Sequence, residues 1–153
     1  TDFFIKLYKR QEVKAGYNFL DVYRLNNGKK EVLPFNPMHK VLTTFSYKPV
    51  SNKFHADVNI HWFREQRLPN TKSNPRAYQR PDYSKSYTTA NAQFTYIFKN
   101  FEVYAGCENI FNFRQNQPII SWQDPFSPYF DISSVWGPTR GREFYAGIRW
   151  KLK

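Results

Sequence analysis

Few residues in this chain are of types and spacings that could do chemistry. The sharpest pair is His55 and His61 with Asp57 between them, all on one side of a period-two segment that also carries Asn59. Six residues of extended chain hold two imidazoles roughly 20 Å apart, too far to share one metal ion. A hydrated, polar strand face therefore explains them better than a metal site. His39 stands beside Met38 in what reads as a long loop, where a solvent-exposed side chain outweighs a copper ligand. The single Cys107 falls on an apolar face, can form no internal disulfide and reads as a small packing residue. No nucleophile–base–acid arrangement, phosphate-cradling glycine loop or metal motif occurs, so the expectation is no enzyme, no catalytic residue, no metal and no cofactor.

Binding chemistry is richer than reaction chemistry. Between Arg114 and Arg142, the residues Trp122, Gln123, Asp124, Tyr129, Asp131 and Trp136 combine aromatic platforms with hydrogen-bonding groups, the pairing that holds sugars or planar chelates. A loop that packs its own aromatics over the fold gives the same composition. Residues 64–90 add Arg64, Arg67, Lys72, Arg76, Arg80 and Lys85 against Glu65 and Asp82 in a Pro-, Ser- and Asn-rich stretch. Such a cationic loop suits an anionic ligand or phosphate-bearing lipid.

The elements that must position these residues are strands. The chain has 153 residues, a net charge of +11, 20% aromatic residues and one Cys. Its 41% hydrophobic content is too high for a disordered tail. No run approaches the roughly 20 apolar residues of a membrane-spanning helix, and Thr1-Asp2-Phe3-Phe4 lacks a signal-peptide layout. Phe54, Ala56, Val58, Ile60 and Trp62 alternate with His55, Asp57, Asn59 and His61. The same period runs through Val13, Ala15, Tyr17, Phe19; Val41, Thr43, Phe45, Tyr47; Ala90 to Phe98; Phe101, Val103, Ala105, Cys107; and Phe144 to Leu152. None of those apolar faces carries a charge.

Strands are predicted at about 13–23, 41–48, 54–63, 88–98, 101–113 and 143–152, with an incomplete strand over residues 2–8 and a short link near Lys9 to Glu12. Connections then fall at 24–40, 49–53, 64–87, 99–100 and 114–142, alternately long and short. In an up-and-down meander all long loops share one end, the asymmetry of outer-membrane barrels, and compact soluble domains rarely carry such loops. Aromatics at strand ends, Phe54, Trp62, Phe98, Phe101, Phe144 and Trp150, suit interfacial girdles. The competing reading is a small soluble β-barrel, apolar faces inward, binding a hydrophobic ligand or single-stranded nucleic acid. A nucleic-acid platform would put aromatic and basic residues together on one exposed face, whereas here the basic residues occupy connections and polar faces.

Glu108-Asn109-Ile110-Phe111-Asn112 resembles an element late in the barrels of TonB-dependent outer-membrane receptors. The closing stretch Trp136-Gly137-Pro138-Thr139-Arg140-Gly141-Arg142-Glu143-Phe144 through Trp150 is similar to the entry and final strand of that family. The tract from Arg67-Leu68-Pro69-Asn70 to Asn91-Ala92-Gln93, and Asn116-Gln117-Pro118-Ile119-Ile120, look alike as well. The resemblance implies an all-β antiparallel meander of about seven strands, residues 1–153 being the C-terminal segment of a 22-stranded transmembrane barrel. It further implies active transport of a scarce ligand across the outer membrane: an iron–siderophore complex, cobalamin, another metal chelate or an oligosaccharide. The implied partners are outer-membrane lipid, that cargo and the TonB complex, acting through a plug domain expected upstream of Thr1 with the signal peptide; nucleic acid is not among them. His55, Asp57, Asn59 and His61 then face the lumen, and Trp122, Gln123, Asp124, Tyr129, Asp131 and Trp136 are loop candidates for ligand contact. Such barrels commonly end on an aromatic, whereas this chain ends Trp150-Lys151-Leu152-Lys153. Either Trp150 or Leu152 takes that role, or Lys153 is not the natural terminus.

Overall fold

The computed structural model describes the backbone of residues 2–8 and 10–151 and the side chains of residues 10–151. Lys9 in the first short link, and Leu152 and Lys153 at the end, lie outside the described residues. The strands are β1 (Asp2–Tyr8), β2 (Gln11–Phe19), β3 (Tyr23–Asn26), β4 (Lys29–Val32), β5 (His39–Tyr47), β6 (Phe54–Phe63), β7 (Tyr87–Ile97), β8 (Phe101–Glu108) and β9 (Glu143–Trp150). Seven of them form one antiparallel sheet in the order β1-β2-β5-β6-β7-β8-β9, a meander whose edges are β1 and β9. A 3-10 turn at Arg76–Tyr78 is the one helical element among the described residues.

Register carries the alternation of each strand across the whole sheet. Val13 pairs with Phe45, Phe45 with Val58, Val58 with Ala92, Ala92 with Cys107 and Cys107 with Phe144, so one row of six strands is apolar throughout. The neighbouring row on the other face runs Ser46, Asp57, Gln93, Gly106, Tyr145. Because side chains alternate with period two, a slip of one residue at any pairing would mix these faces. The large side chains on the apolar face stand open: Phe144 is 77% exposed, Ile148 68% and Trp150 63%.

Hydrogen bonding is concentrated on the opposite face. Ser46 Oγ donates to Asp57 Oδ1 at 2.7 Å and Thr44 Oγ1 to Asn59 Oδ1 at 2.8 Å. Tyr145 donates to Gln93 Oε1 at 3.0 Å, and Gln93 Nε2 to Thr95 Oγ1 at 3.1 Å. The buried Glu102 carboxylate takes Arg149 Nη1 at 3.0 Å and also pairs with Lys151. A hydrogen-bonded polar face backing an open apolar one inverts the arrangement of a water-soluble domain.

Aromatic rings band the apolar face at both ends of the strands. At the short-turn end, ring pairs link Tyr47 to Phe54 and Phe54 to Phe94, then Tyr96 to Phe98, Phe98 to Phe101 and Phe101 to Trp150, with centroids 4.4–5.8 Å apart. At the loop end stand Tyr17, Phe19 and Trp62. Phe54 and Trp62 are eight residues apart on one strand, roughly 27 Å along it, a length matched to a hydrocarbon core once the strand tilts.

Three expectations need correction. The strand predicted over 13–23, β2, ends at Phe19, and the stretch read as a bare connection over 24–40 contains the hairpin β3–β4. Asn27 and Gly28 at its tip have φ of 49° and 74°, the paired left-handed conformation of a type I′ turn. The strand predicted over 101–113 stops at Glu108, because Asn109 and Asn112 take φ of 48° and 54° and turn the chain away. His39 is no loop residue: it opens β5 on the apolar side, its Nδ1 hydrogen-bonded to the Tyr17 hydroxyl at 2.6 Å and its ring 5.3 Å from that of Phe19.

Candidate functional site

The meander sends residues 20–38, 64–86 and 109–142 to one end of the sheet, and the last two segments build the site. Their bases are fastened before their tips can matter. Asn109, buried, donates through Nδ2 to Phe113 O at 2.7 Å and Arg140 O at 3.1 Å, and accepts Phe113 N–H on Oδ1 at 3.1 Å. Asn112 Oδ1 accepts Arg142 N–H at 3.0 Å, and Arg142 Nε returns a bond to Ile110 O at 2.9 Å. The two stretches that carry the family resemblance, Glu108 to Asn112 and Trp136 to Arg142, thus meet and close the neck of the last loop.

Above this neck the polar face is aromatic. Phe63 stacks on Tyr87 at 4.8 Å, Tyr87 on Phe113 at 4.8 Å, and Trp136 tilts against Tyr87 and Phe113 at 5.8 and 6.1 Å. Only Trp136 of this group is a candidate from the sequence. Phe63, Tyr87 and Phe113 sit where strand periodicity ends, and a period-two pattern alone does not distinguish an aromatic at the mouth from one in the wall.

A cavity of about 290 Å³ opens beside Trp136, with Arg80, Lys85 and Arg114 on its walls together with Leu68, Tyr83 and Phe113. Its lining contains three cations and no carboxylate. A second cavity, about 300 Å³, holds Trp122, Gln123 and Asp124 with Tyr78 and Arg80. Arg80 borders both, and its guanidinium donates to Gln117 O at 3.2 Å and Ile119 O at 3.4 Å. Tyr129 stacks on Tyr78 at 5.1 Å.

Asp131 is placed differently from the other candidates. Its carboxylate accepts Ser133 N–H at 2.6 Å and Ser134 Oγ–H at 3.0 Å, while its backbone bridges Ile120, which is fully buried. Burial pushes this carboxyl up, but the bonds from Ser133 and Ser134 outweigh it and hold the group below the ordinary aspartate value. It shapes the loop rather than lining either cavity. His55, Asp57, Asn59 and His61 all lie on the polar face of β6, and His61 stacks on Phe63 below the aromatic cluster at 6.3 Å. Among the described residues, no group of three or more His, Cys, Asp or Glu is placed to hold a metal ion.

No protein-family model and no curated protein matches the chain. Solved structures do. The ferric-catecholate import receptor Fiu from E. coli K12 aligns over 93% of this chain and 19% of its own, at 15% identity and a TM-score of 0.64. The ferric enterobactin receptor PfeA from Pseudomonas aeruginosa, in complex with enterobactin, aligns over 96% of this chain and 21% of its own, at 15% identity and a TM-score of 0.71. The ferripyoverdine receptor of the Pseudomonas aeruginosa outer membrane, bound to ferripyoverdine, aligns over 96% and 18%, at 21% identity and a TM-score of 0.62. The chain therefore spans about a fifth of the length of the receptors it matches, and its fold is that of the barrel region of TonB-dependent siderophore receptors.

Proposed function

We propose that this chain supplies wall strands and rim loops to an outer-membrane transporter that takes up a scarce chelate with energy from the TonB complex. The observation that carries the reading is the conjunction of two features of one sheet. An unbroken apolar face is banded by aromatics, and a cation-lined, partly aromatic cavity stands at the long-loop end. Residues 1–153 then form the last part of a larger barrel whose remaining strands pair with β1 and β9. Seven strands are fewer than the eight of the smallest bacterial barrels, and open edges in lipid would leave backbone groups unpaired at a cost of several kcal/mol each. The plug that contacts TonB lies outside these residues.

An iron–siderophore complex is the cargo class that fits best, ahead of cobalamin, other chelates and oligosaccharides. Three cations without a carboxylate favour an anionic ligand, and Trp136, Phe113 and Tyr83 offer faces for its planar parts. In this arrangement the segment does no chemistry on the cargo: Arg80, Lys85 and Arg114 attract it, and the aromatics orient it. The test is uptake of radio-iron by iron-starved cells, with and without the gene, using ferric enterobactin and ferripyoverdine as probes. Gene-dependent uptake that stops when the proton-motive force is dissipated supports the proposal. Uptake of both probes unaffected by deletion would remove the siderophore assignment.

A further inference from the structure

The peptide of Trp136 is held from both sides by glutamines of two different loops. Gln115, buried, accepts Trp136 N–H at 2.7 Å and Gly137 N–H at 3.1 Å on Oε1 and donates through Nε2 to Ser134 O at 2.9 Å. Its own backbone N–H bonds Pro138 O at 2.7 Å, so one residue serves the whole stretch 134–138 as an adjacent strand would. From the other loop, the buried Gln66 donates through Nε2 to Trp136 O at 2.8 Å. Gln66 is itself anchored, its N–H on Ser84 Oγ at 3.1 Å and its carbonyl accepting Ser84 N–H at 2.9 Å.

Two further ties between these loops, the Arg80 guanidinium on Gln117 and Ile119 and the Tyr78–Tyr129 stack, sit at the cavities and are open to a ligand. Arg80 and Tyr78 line a cavity, so a ligand that engages them competes with the tie. Gln115 and Gln66 also border cavities, but both are buried, and the amide atoms that make the tie are spent on protein groups. A neutral amide is the side chain suited to this work, because it supplies donor and acceptor together without burying a charge.

We infer that Gln66 and Gln115 are positioning residues that lock segments 64–86 and 109–142 into one rigid rim through the Trp136 peptide, so the cation-lined cavity is formed before cargo arrives. This deepens the transport reading and rests on it for the meaning of the cavity. Its test uses no cargo, so the two can fail separately. Spin labels are placed at the exposed positions Ser73 and Phe126, one on each segment, in the full-length receptor in outer-membrane vesicles with Cys107→Ser as background.

The expected result is one narrow inter-label distance peak in the parent, lost in Gln115→Met and in Gln66→Met. Gln115→Glu keeps the acceptor bonds to Trp136 and Gly137 but lacks the donor to Ser134, and should fall between. Heat-modifiable mobility of the barrel on gels should stay unchanged in all of them, which separates a loosened rim from a failed fold. Should Gln115→Met not reach the membrane, Gln66→Met, which removes a single bond, decides alone. A broad distribution in the parent, or a peak in Gln66→Met as narrow as the parent's, would overturn the inference.

Discussion

Tyr145 lies across Gly106 of the neighbouring strand so closely that a Cβ on Gly106 would sit inside the phenol ring, and Tyr104 covers Gly147 in the reciprocal sense. The two pairs are adjacent rows of the β8–β9 ladder on the polar face, and Arg149 stands 5.8 Å over the Tyr104 ring. Glycine here is a matter of close approach, since neither residue has a left-handed φ. Gly106→Ala should therefore cost about 1–3 kcal/mol, the range for overpacking a filled site. Urea titration of the protein refolded into lipid vesicles reads the loss. Adding Tyr145→Ala to Gly106→Ala should recover part of it, which a general weakening of the strand would not do.

Val58 and Ala92 face each other across β6 and β7, midway between the two aromatic bands. Replacing either with Arg puts a cation in hydrocarbon at roughly 2–4 kcal/mol and should block insertion. Asn59→Lys, one residue along and on the opposite face, should insert normally. Membrane assembly of Val58→Arg at the parent's level would reverse the assignment of faces.

Strand periodicity was the most legible layer of this molecule. Each of the main strands follows from its own alternation, and register then aligns apolar faces that the sequence presents one at a time. Boundaries failed where single residues leave the extended region: Asn109 and Asn112 stop β8 early, and Asn27-Gly28 makes a hairpin that a reading by apolar alternation passes over, since β3 and β4 are mostly polar. In the rim, Trp122, Gln123, Asp124 and Trp136 do line cavities. Gln66 and Gln115 left no trace in the sequence, because a loop glutamine acquires meaning only from backbone groups some 20 or 70 residues away.

Asn109 does three things at once: it adopts a left-handed backbone, bonds Phe113 in both directions and ties Arg140. Asn109→Ala loses the side-chain bonds and strains the backbone, together about 2–4 kcal/mol at the neck of the loop. Trypsin should then cut after Arg114 and Arg140, the basic residues at the two ends of the loop, in intact cells much faster than in the parent. Equal cleavage rates would show that the neck holds without this side chain.

The Asp131 bonds give the rim a pH dependence of defined sign. The folded carboxyl lies below its ordinary value, so its contribution is present above that value and is lost as pH falls through the folded one. Hydrogen exchange at the Ser133 amide should stay slow through neutral and mildly acidic pH and accelerate, after correction for intrinsic rates, only below about pH 4. Asp131→Asn should exchange faster throughout and show no such step.

The measurement that bears most directly on the whole account is the size and location of the native protein. Cell fractions are blotted with an antibody to residues 115–135, comparing unboiled and boiled samples. A wall segment of a large transporter predicts a band several-fold heavier than the 18.4 kDa of this chain, confined to the outer membrane and shifting on boiling. A water-soluble band at 18.4 kDa that does not shift would contradict it and return the sheet to a small ligand-binding barrel.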